Sequence, residues 1–172
     1  MQEYVTDAIV LSIHSRGEAD RVVDCYTKQL GRIEARMIGG RKPLSKLSPH
    51  CVPGGFVTIR LVEKNQFTLI DALQPPPFRR LTPASLRTIA LVRALTPKGV
   101  PDNRLWETLK QSLEEAKGDA GTLFRILGYD TASASCEACG DTPVSLFSVS
   151  HHEFFCDRCG ARLSEGDIVY CS

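Results

Sequence analysis

The 172-residue chain lacks the features that would place it in a membrane or outside the cell. It contains no run near the ~18 consecutive apolar residues that a membrane-spanning helix needs. Residues 1–3 are not basic and no apolar run follows them, so we expect no secretory signal. We therefore expect a cytoplasmic protein without membrane contact, in a reducing compartment where structural disulfides are rare.

A catalytic constellation is also missing. The sequence has no Walker loop, no Ser/His/Asp arrangement and no paired carboxylate motif, and His14 and His50 stand alone. A turn with internal ion pairs explains the charge-dense run at 16–21 at least as well as acid–base chemistry does. We therefore expect a protein that acts by binding and is not an enzyme.

The net charge is small, only +1, but it is unevenly spread. Residues 1–80 carry 12 basic and 8 acidic side chains, whereas residues 81–172 carry 9 and 12. This asymmetry suggests an anionic partner for the first half of the chain. Two differently solvated faces would produce the same balance.

What the sequence does have is two Cys-x-x-Cys pairs separated by 16 residues. Their members are Cys136, Cys139, Cys156 and Cys159. Thiolates three positions apart can turn around one tetrahedral ion, and four protein ligands leave no open coordination position. We predict one structural Zn²⁺ at these residues, with two disulfides or four buried thiols as the alternative.

Other potential ligands carry weaker predictions. His151 or His152 could replace a thiolate, but four cysteines already complete the shell. We expect Cys25 and Cys51 to be small buried or half-buried hydrophobic residues. We expect Cys171 to be solvated.

The first half of the chain has the pattern of a small β-barrel. Five stretches rich in β-branched and aromatic residues lie at 8–13, 21–27, 33–37, 56–62 and 67–72. Ile33, Ala35 and Met37 alternate with polar residues, and this period of two places one face of a strand on a core. Five short strands with glycine-containing turns suit a closed barrel such as an OB-fold.

A proline-rich segment at 74–78 marks the clearest boundary, because consecutive prolines cannot continue a β-ladder. We predict an OB-fold domain at 1–77 and a helical domain at 78–172, with the zinc module at about 134–162. The predicted fold class is α+β: a five-stranded OB-fold barrel followed by a small helical domain that carries a four-cysteine zinc module.

Three helices are predicted in the second half. Thr82 is an N-cap candidate before a proline at the first helical position, and the apolar pattern runs toward Pro97. Asp102 could cap a second helix, and residues 120–127 form a third with a glycine stop.

Basic residues gather on the third predicted strand and the loop after it. Between 28 and 46 the only acid is Glu34, whereas the bases are Lys28, Arg32, Arg36, Arg41, Lys42 and Lys46. On one barrel face they would neutralise phosphates. A solvated strand edge is the alternative for Arg32 and Arg36, whereas flanking glycines and a proline favour an exposed, functional loop at 41–42.

Aromatic stacking platforms for bases are the other requirement of an OB-fold that binds single strands. The candidates are Tyr26, Phe56 and Phe67. A core position is the alternative for each, and it is the one we expect for Phe56 and Phe67.

Two blocks of the sequence resemble the RecO family of bacterial recombination mediators. The first includes Gly-Glu-Ala-Asp-Arg at 17–21 and Gly-Arg-Lys-Pro at 40–43. The second contains Leu-Gly-Tyr at 127–129 followed by the two cysteine pairs. The resemblance covers most of residues 5–162.

The resemblance implies an N-terminal OB-fold, a helical region with an embedded zinc module, and a nucleoid-associated protein. RecO-like proteins bind single- and double-stranded DNA, anneal complementary strands, and help load RecA together with RecR and single-stranded-DNA-binding protein. The DNA-facing set by position is Arg32, Arg36, Arg41, Lys42 and Lys46. The chain looks like a short variant of the family, since its helical segment is short and only about ten residues follow the zinc module.

Two other function classes stay open. One is a protein-interaction adaptor with little DNA binding, and the other is an RNA-binding OB/zinc protein, because OB barrels and zinc ribbons recur in that machinery. A zinc-dependent hydrolase is disfavoured because four thiolates close the metal shell.

Overall fold

The computed structural model describes residues 1–73, 81–115, 120–164 and 167–171. The chain divides into two compact units, one formed by Met1–Leu81 with Pro97–Trp106 and the other by Thr82–Thr96 with Glu107–Ser172. The predicted proline-rich boundary at 74–78 lies outside the described residues, so the domain limit at 77/78 stays a prediction.

The first unit contains a closed five-stranded barrel with the strand order β1-β2-β3-β5-β4. The strands are β1 (Gln2–Arg16), β2 (Asp20–Thr27), β3 (Gly31–Met37), β4 (Phe56–Glu63) and β5 (Phe67–Leu73). Neighbouring strands are antiparallel except β3 and β5, which pair in parallel and close the barrel. This is an OB-fold, as the sequence pattern predicted.

Alternation along the strands builds the barrel interior. On β3, Ile33, Ala35 and Met37 are buried, whereas the residues between them are half-buried or exposed. β1 is longer than predicted because its first part pairs with β4 and its second part with β2. Across β1, β2 and β3, the successive register partners His14, Val22 and Arg36 share one outward row.

A segment at 97–102 covers part of the outer face of β2 and β3. The Gly99 amide donates to the Arg32 carbonyl at 2.8 Å. The Tyr26 hydroxyl accepts from the Asp102 amide at 3.0 Å and lies 3.4 Å from the Asp102 carbonyl, to which it donates. Tyr26 is therefore only 1% exposed, so it presents no ring face for stacking, contrary to its candidacy as a platform.

The second unit is built from helices and a small sheet. The helices are α1 (Pro83–Leu95), α2 (Asn103–Glu114, which begins in the first unit), α3 (Ala120–Ile126) and the short α4 (Asp157–Gly160). Strands β6 (Leu146–Ser148), β7 (Glu153–Phe155) and β8 (Ile168–Tyr170) form a sheet in the order β7-β6-β8. The two predicted N-caps are confirmed. At the start of α1, the Thr82 hydroxyl accepts a hydrogen bond from the Ser85 amide at 3.1 Å. At the start of α2, the Asp102 carboxylate accepts hydrogen bonds from the amides of Arg104 and Leu105.

Aromatic rings form much of the core of this unit. Phe124 and Phe147 meet edge to face at 5.4 Å, and Phe154 lies 4.9 Å from Phe147. Phe124 and Phe147 are fully buried.

Among the helices of the described residues, none combines the length and apolar character needed to cross a bilayer.

Candidate nucleic-acid interface and metal centre

The loop that follows β3 is anchored on the turn between β1 and β2. The Arg41 amide donates to the Ala19 carbonyl at 2.9 Å, and the Arg41 guanidinium donates to the Gly17 carbonyl at 2.8 Å. The side chains of Arg41, Lys42 and Lys46 are exposed. The loop, residues 38–47, is hereafter called the basic loop; its backbone is held while its cations face solvent.

Asp20, at the start of β2, fixes the base of this loop. One carboxylate oxygen accepts from the Gly39 amide at 2.8 Å, and the other accepts from Arg36 Nε at 2.8 Å. The Gly39 amide and, next, the Arg36 guanidinium hold the pKa of Asp20 below its ordinary value. Arg36 keeps 40% of its side chain exposed, so a share of its donor capacity stays accessible.

Arg32 has a different environment from the other predicted DNA contacts. Its Nε and terminal nitrogen bind the two oxygens of Asp24 at 3.1 and 2.9 Å. The two side chains are 14% and 2% exposed. This bidentate pair places the guanidinium against a buried carboxylate, so little of its charge faces solvent.

Lys28 lies at the other end of the β2–β3 hairpin. It is exposed in the turn after β2, where its amide donates to the Asp7 carbonyl at 3.0 Å. The structure therefore brings Arg36, Arg41 and Lys42 to the end of the barrel formed by the β1–β2 turn, and places Lys28 away from them. DNA binding by these six bases stays a prediction.

A cleft of about 330 Å³ lies on the outward face of the barrel at this same end. It is lined by His14, Ser15, Arg16, Val22, Glu34, Arg36, Gln66 and Phe67. Arg16 donates to Gln66 at 3.1 Å, which links the β1–β2 and β4–β5 turns. OB barrels bind oligonucleotides on the face of strands 2 and 3 between these two loops.

His14 and Arg16 line this cleft although the sequence alone did not indicate a functional role for either. Their outward positions follow from the period-two pattern of β1, but their proximity to Phe67 depends on barrel closure through β3 and β5. Phe67 is half-buried and packs edge to face against Tyr4 at 6.0 Å. Its ring therefore serves the core, as expected, and also lines the cleft.

The four predicted metal ligands come together in the second unit. The sulfur atoms of Cys136, Cys139, Cys156 and Cys159 all lie within 4.8 Å of one another. The sulfur atoms of Cys139 and Cys156 are 3.7 Å apart, and none of the seven cysteines forms a disulfide. This is the donor set of a tetrahedral thiolate site.

Backbone amides prepare the cluster for a cation. Amides of Cys156 and of the turn after Cys136 donate toward the Cys136 sulfur and lower the pKa of this thiol to about 6. For Cys139, the Asp141 amide favours the thiolate, but burial and the neighbouring thiols outweigh it and raise the pKa to about 12. A bound metal cation stabilises cysteine ligands as thiolates, and four sulfur donors this close together are the set that such an ion needs, so the residues fit the predicted ion.

The remaining candidate ligands lie elsewhere. His151 Nδ1 is 2.9 Å from the Ser148 hydroxyl, and His152 stacks on Tyr129. Cys25 and Cys51 are buried in the barrel, as expected; burial raises the pKa of Cys51 to about 11 and that of Cys25 further. The expectation that Cys171 is solvated is wrong, because β8 carries it into the unit, where it is 8% exposed.

Comparisons with known proteins point to one family. Residues 1–75 match the family model described as the N-terminal part of recombination protein O. A DNA repair protein RecO from Pelotomaculum thermopropionicum is 32% identical over 81% of this chain and 60% of its own length. RecO of Syntrophobacter fumaroxidans is 28% identical over 78% of this chain and 61% of its own length.

A longer match comes from Myxococcus xanthus, whose DNA repair protein RecO is 26% identical over 98% of this chain and 78% of its own length. The chain thus spans about three fifths of the length of the first two relatives. At 98% of this chain, the Myxococcus xanthus match includes the cysteine-bearing half as well as the barrel.

Proposed function

Since this chain belongs to the RecO family, we propose that it acts in DNA repair and recombination by binding single- and double-stranded DNA and bringing complementary strands together. The observation that carries the proposal is the basic loop, whose backbone is anchored on the β1–β2 turn while Arg41, Lys42 and Lys46 face solvent. Such a surface binds phosphates without reading sequence.

Annealing follows from charge. Two phosphate backbones repel each other, and a cationic surface that holds both lowers the free energy of bringing them together. In this account the three loop cations make the main phosphate contacts and Arg36 adds one at the edge of the cleft. Arg32, paired with Asp24, stabilises the barrel face formed by β2 and β3. Lys28 adds positive charge at the opposite end of the β2–β3 hairpin.

The cleft accounts for single-strand binding in this proposal. Arg16 and Arg36 offer cations for a backbone, and the Phe67 ring offers an apolar wall for a base. The cleft adjoins the β1–β2 turn on which the basic loop is anchored. A single strand in the cleft and a second strand on the loop would be held as neighbours.

The protein would act by binding and not by catalysis. One structural zinc ion at the four cysteines would maintain the fold of the second unit. We extend to this chain the family partners RecR, RecA and single-stranded-DNA-binding protein, and a place at the nucleoid in the bacterial cytoplasm.

The direct test is fluorescence anisotropy with labelled single-stranded DNA, duplex DNA and matched RNA. We expect binding to both DNA forms, and loss of most of that affinity in the variant Arg41→Glu/Lys42→Glu. The control Arg87→Glu/Arg104→Glu makes the same change in net charge at exposed positions outside the loop and should bind as the wild type does.

Absence of DNA binding by the wild type at low salt would overturn the proposal. Binding of RNA alone would then favour the RNA-binding class, and binding of neither would favour the adaptor. Equal weakening by both double variants would mean that net charge, and not the loop, determines affinity.

A further inference from the structure

The tip of the basic loop carries an apolar side chain that phosphate binding does not use. Leu44 is 93% exposed, and Ile38 at the start of the loop is 61% exposed. Single exposed apolar residues are common on folded proteins. Leu44 differs from such residues because an ordered turn holds it and cations surround it.

The order comes from hydrogen bonds on both sides of the tip. The Ser45 amide donates to the Lys42 carbonyl at 3.0 Å, which closes a four-residue turn with Pro43 at its second position. Beyond the tip, the Ser48 hydroxyl donates to the Gly40 carbonyl. Leu44 is therefore presented at the third position of a turn whose conformation is already set.

The charge around the tip of the loop is complementary to that of a polyanion. Arg41, Lys42 and Lys46 flank Leu44 and are exposed. The sequence contains no acidic residue between Glu34 and Glu63. A nucleic acid combines a charged backbone with an apolar base stack, and proteins that bind the minor groove often insert Leu, Ile or Pro between base steps.

We propose that Leu44 is a wedge that enters the base stack of bound duplex DNA and opens one base step. This inference rests on the proposed DNA-binding function and extends it: the loop distorts the duplex as well as holding it. Unstacking has an energetic cost, and the phosphate contacts of the flanking cations offset that cost. The same unstacking would make a bound strand easier to exchange for its complement.

The test uses a duplex with a central 2-aminopurine, whose fluorescence rises when it loses its stacked neighbours. Wild type and Leu44→Met should raise that fluorescence, whereas Leu44→Ala should not. We expect Leu44→Ala to bind the duplex about tenfold more weakly, since it loses most of a buried leucine contact. Leu73→Ala, which truncates a leucine that is 70% exposed on β5, is the matched control and should behave as the wild type.

Equal affinity and equal fluorescence change for wild type and Leu44→Ala would overturn the wedge while leaving DNA binding intact. A wild type that binds no DNA would overturn both the wedge and the proposed function. Binding to vesicles containing phosphatidylglycerol that requires Leu44, with no 2-aminopurine response, would assign the tip to a membrane surface and also overturn the wedge.

Discussion

Two carboxylates on β2, Asp20 and Asp24, determine what two of the predicted DNA-binding arginines do. Asp24 holds Arg32 in a buried bidentate pair, and Asp20 holds Arg36 while leaving it partly exposed. The sequence shows that these arginines occupy polar positions of a strand. It cannot show the pairing, because that depends on the register between β2 and β3 in the folded barrel.

The Arg32–Asp24 pair yields a stability prediction. Arg32→Gln should lower the free energy of unfolding by about 3 kcal/mol, because it removes the charged partner of Asp24, whose side chain is only 2% exposed. Arg36→Gln should lower the free energy of unfolding by about 1 kcal/mol or less, because the Arg36–Asp20 pair is more exposed to solvent. Urea denaturation of both variants measures the difference, and equal losses would contradict the assignment of Arg32 to a structural role.

The Asp20 carboxylate predicts a pH dependence. Its pKa is lowered in the fold by the Gly39 amide and then by Arg36, so its contribution to stability is present above its unfolded pKa and is lost as the pH falls through the folded value. Asp20→Asn should therefore be less stable than wild type at pH 7, and the gap should shrink below about pH 4. Melting temperatures measured from pH 7 to 2 test this; a constant gap would contradict it.

At the scale of elements, the barrel could be predicted because period-two alternation and glycine turns define its strands. The true length of β1 could not, since its early residues become a strand only by pairing with β4. The 97–102 segment was likewise not predicted. Its position depends on contacts made by Gly99 and Asp102 with residues more than 60 positions earlier in the sequence.

Gly31 tests the packing of that segment. A Cβ on Gly31 would lie 2.3 Å from the Val100 carbonyl oxygen, and the residue has φ of +66°. Gly17 has a similar φ of +64° with nothing near its Cβ position, so it controls for backbone strain alone. Gly17→Ala should lower the free energy of unfolding by about 1 kcal/mol, because alanine is strained in the left-handed conformation. Gly31→Ala should lower it by about 2 kcal/mol more, because its Cβ also clashes with Val100. If chemical denaturation gives both variants a similar loss in the free energy of unfolding, the 97–102 segment moves aside without a cost, which would contradict close packing against Gly31.

At the scale of the whole molecule, the cysteine spacing predicted the cluster correctly, because ligand geometry is local to two short turns. The cleft was harder to predict, since it needs the closed barrel. Each unit has its own hydrophobic core, one inside the barrel and one around Phe124 and Phe147.

Metal analysis tests the role of the cluster. We expect one zinc per chain by elemental analysis, and loss of that zinc in Cys139→Ser, with increased proteolysis within about 134–162, because structural zinc sites contribute directly to folding. Cys171→Ser, which changes a thiol outside the cluster, should keep the ion. Iron in place of zinc, or full zinc retention by Cys139→Ser, would contradict the assignment.

The central claim is that the basic loop binds DNA phosphates directly, and the salt dependence of duplex affinity tests it most directly. We would compare wild type with Arg41→Gln/Lys42→Gln by plotting the logarithm of the binding constant against that of the salt concentration. Loss of two phosphate contacts should reduce the magnitude of the slope by about 1.8. An unchanged slope would show that these cations do not contact the backbone and would contradict the claim.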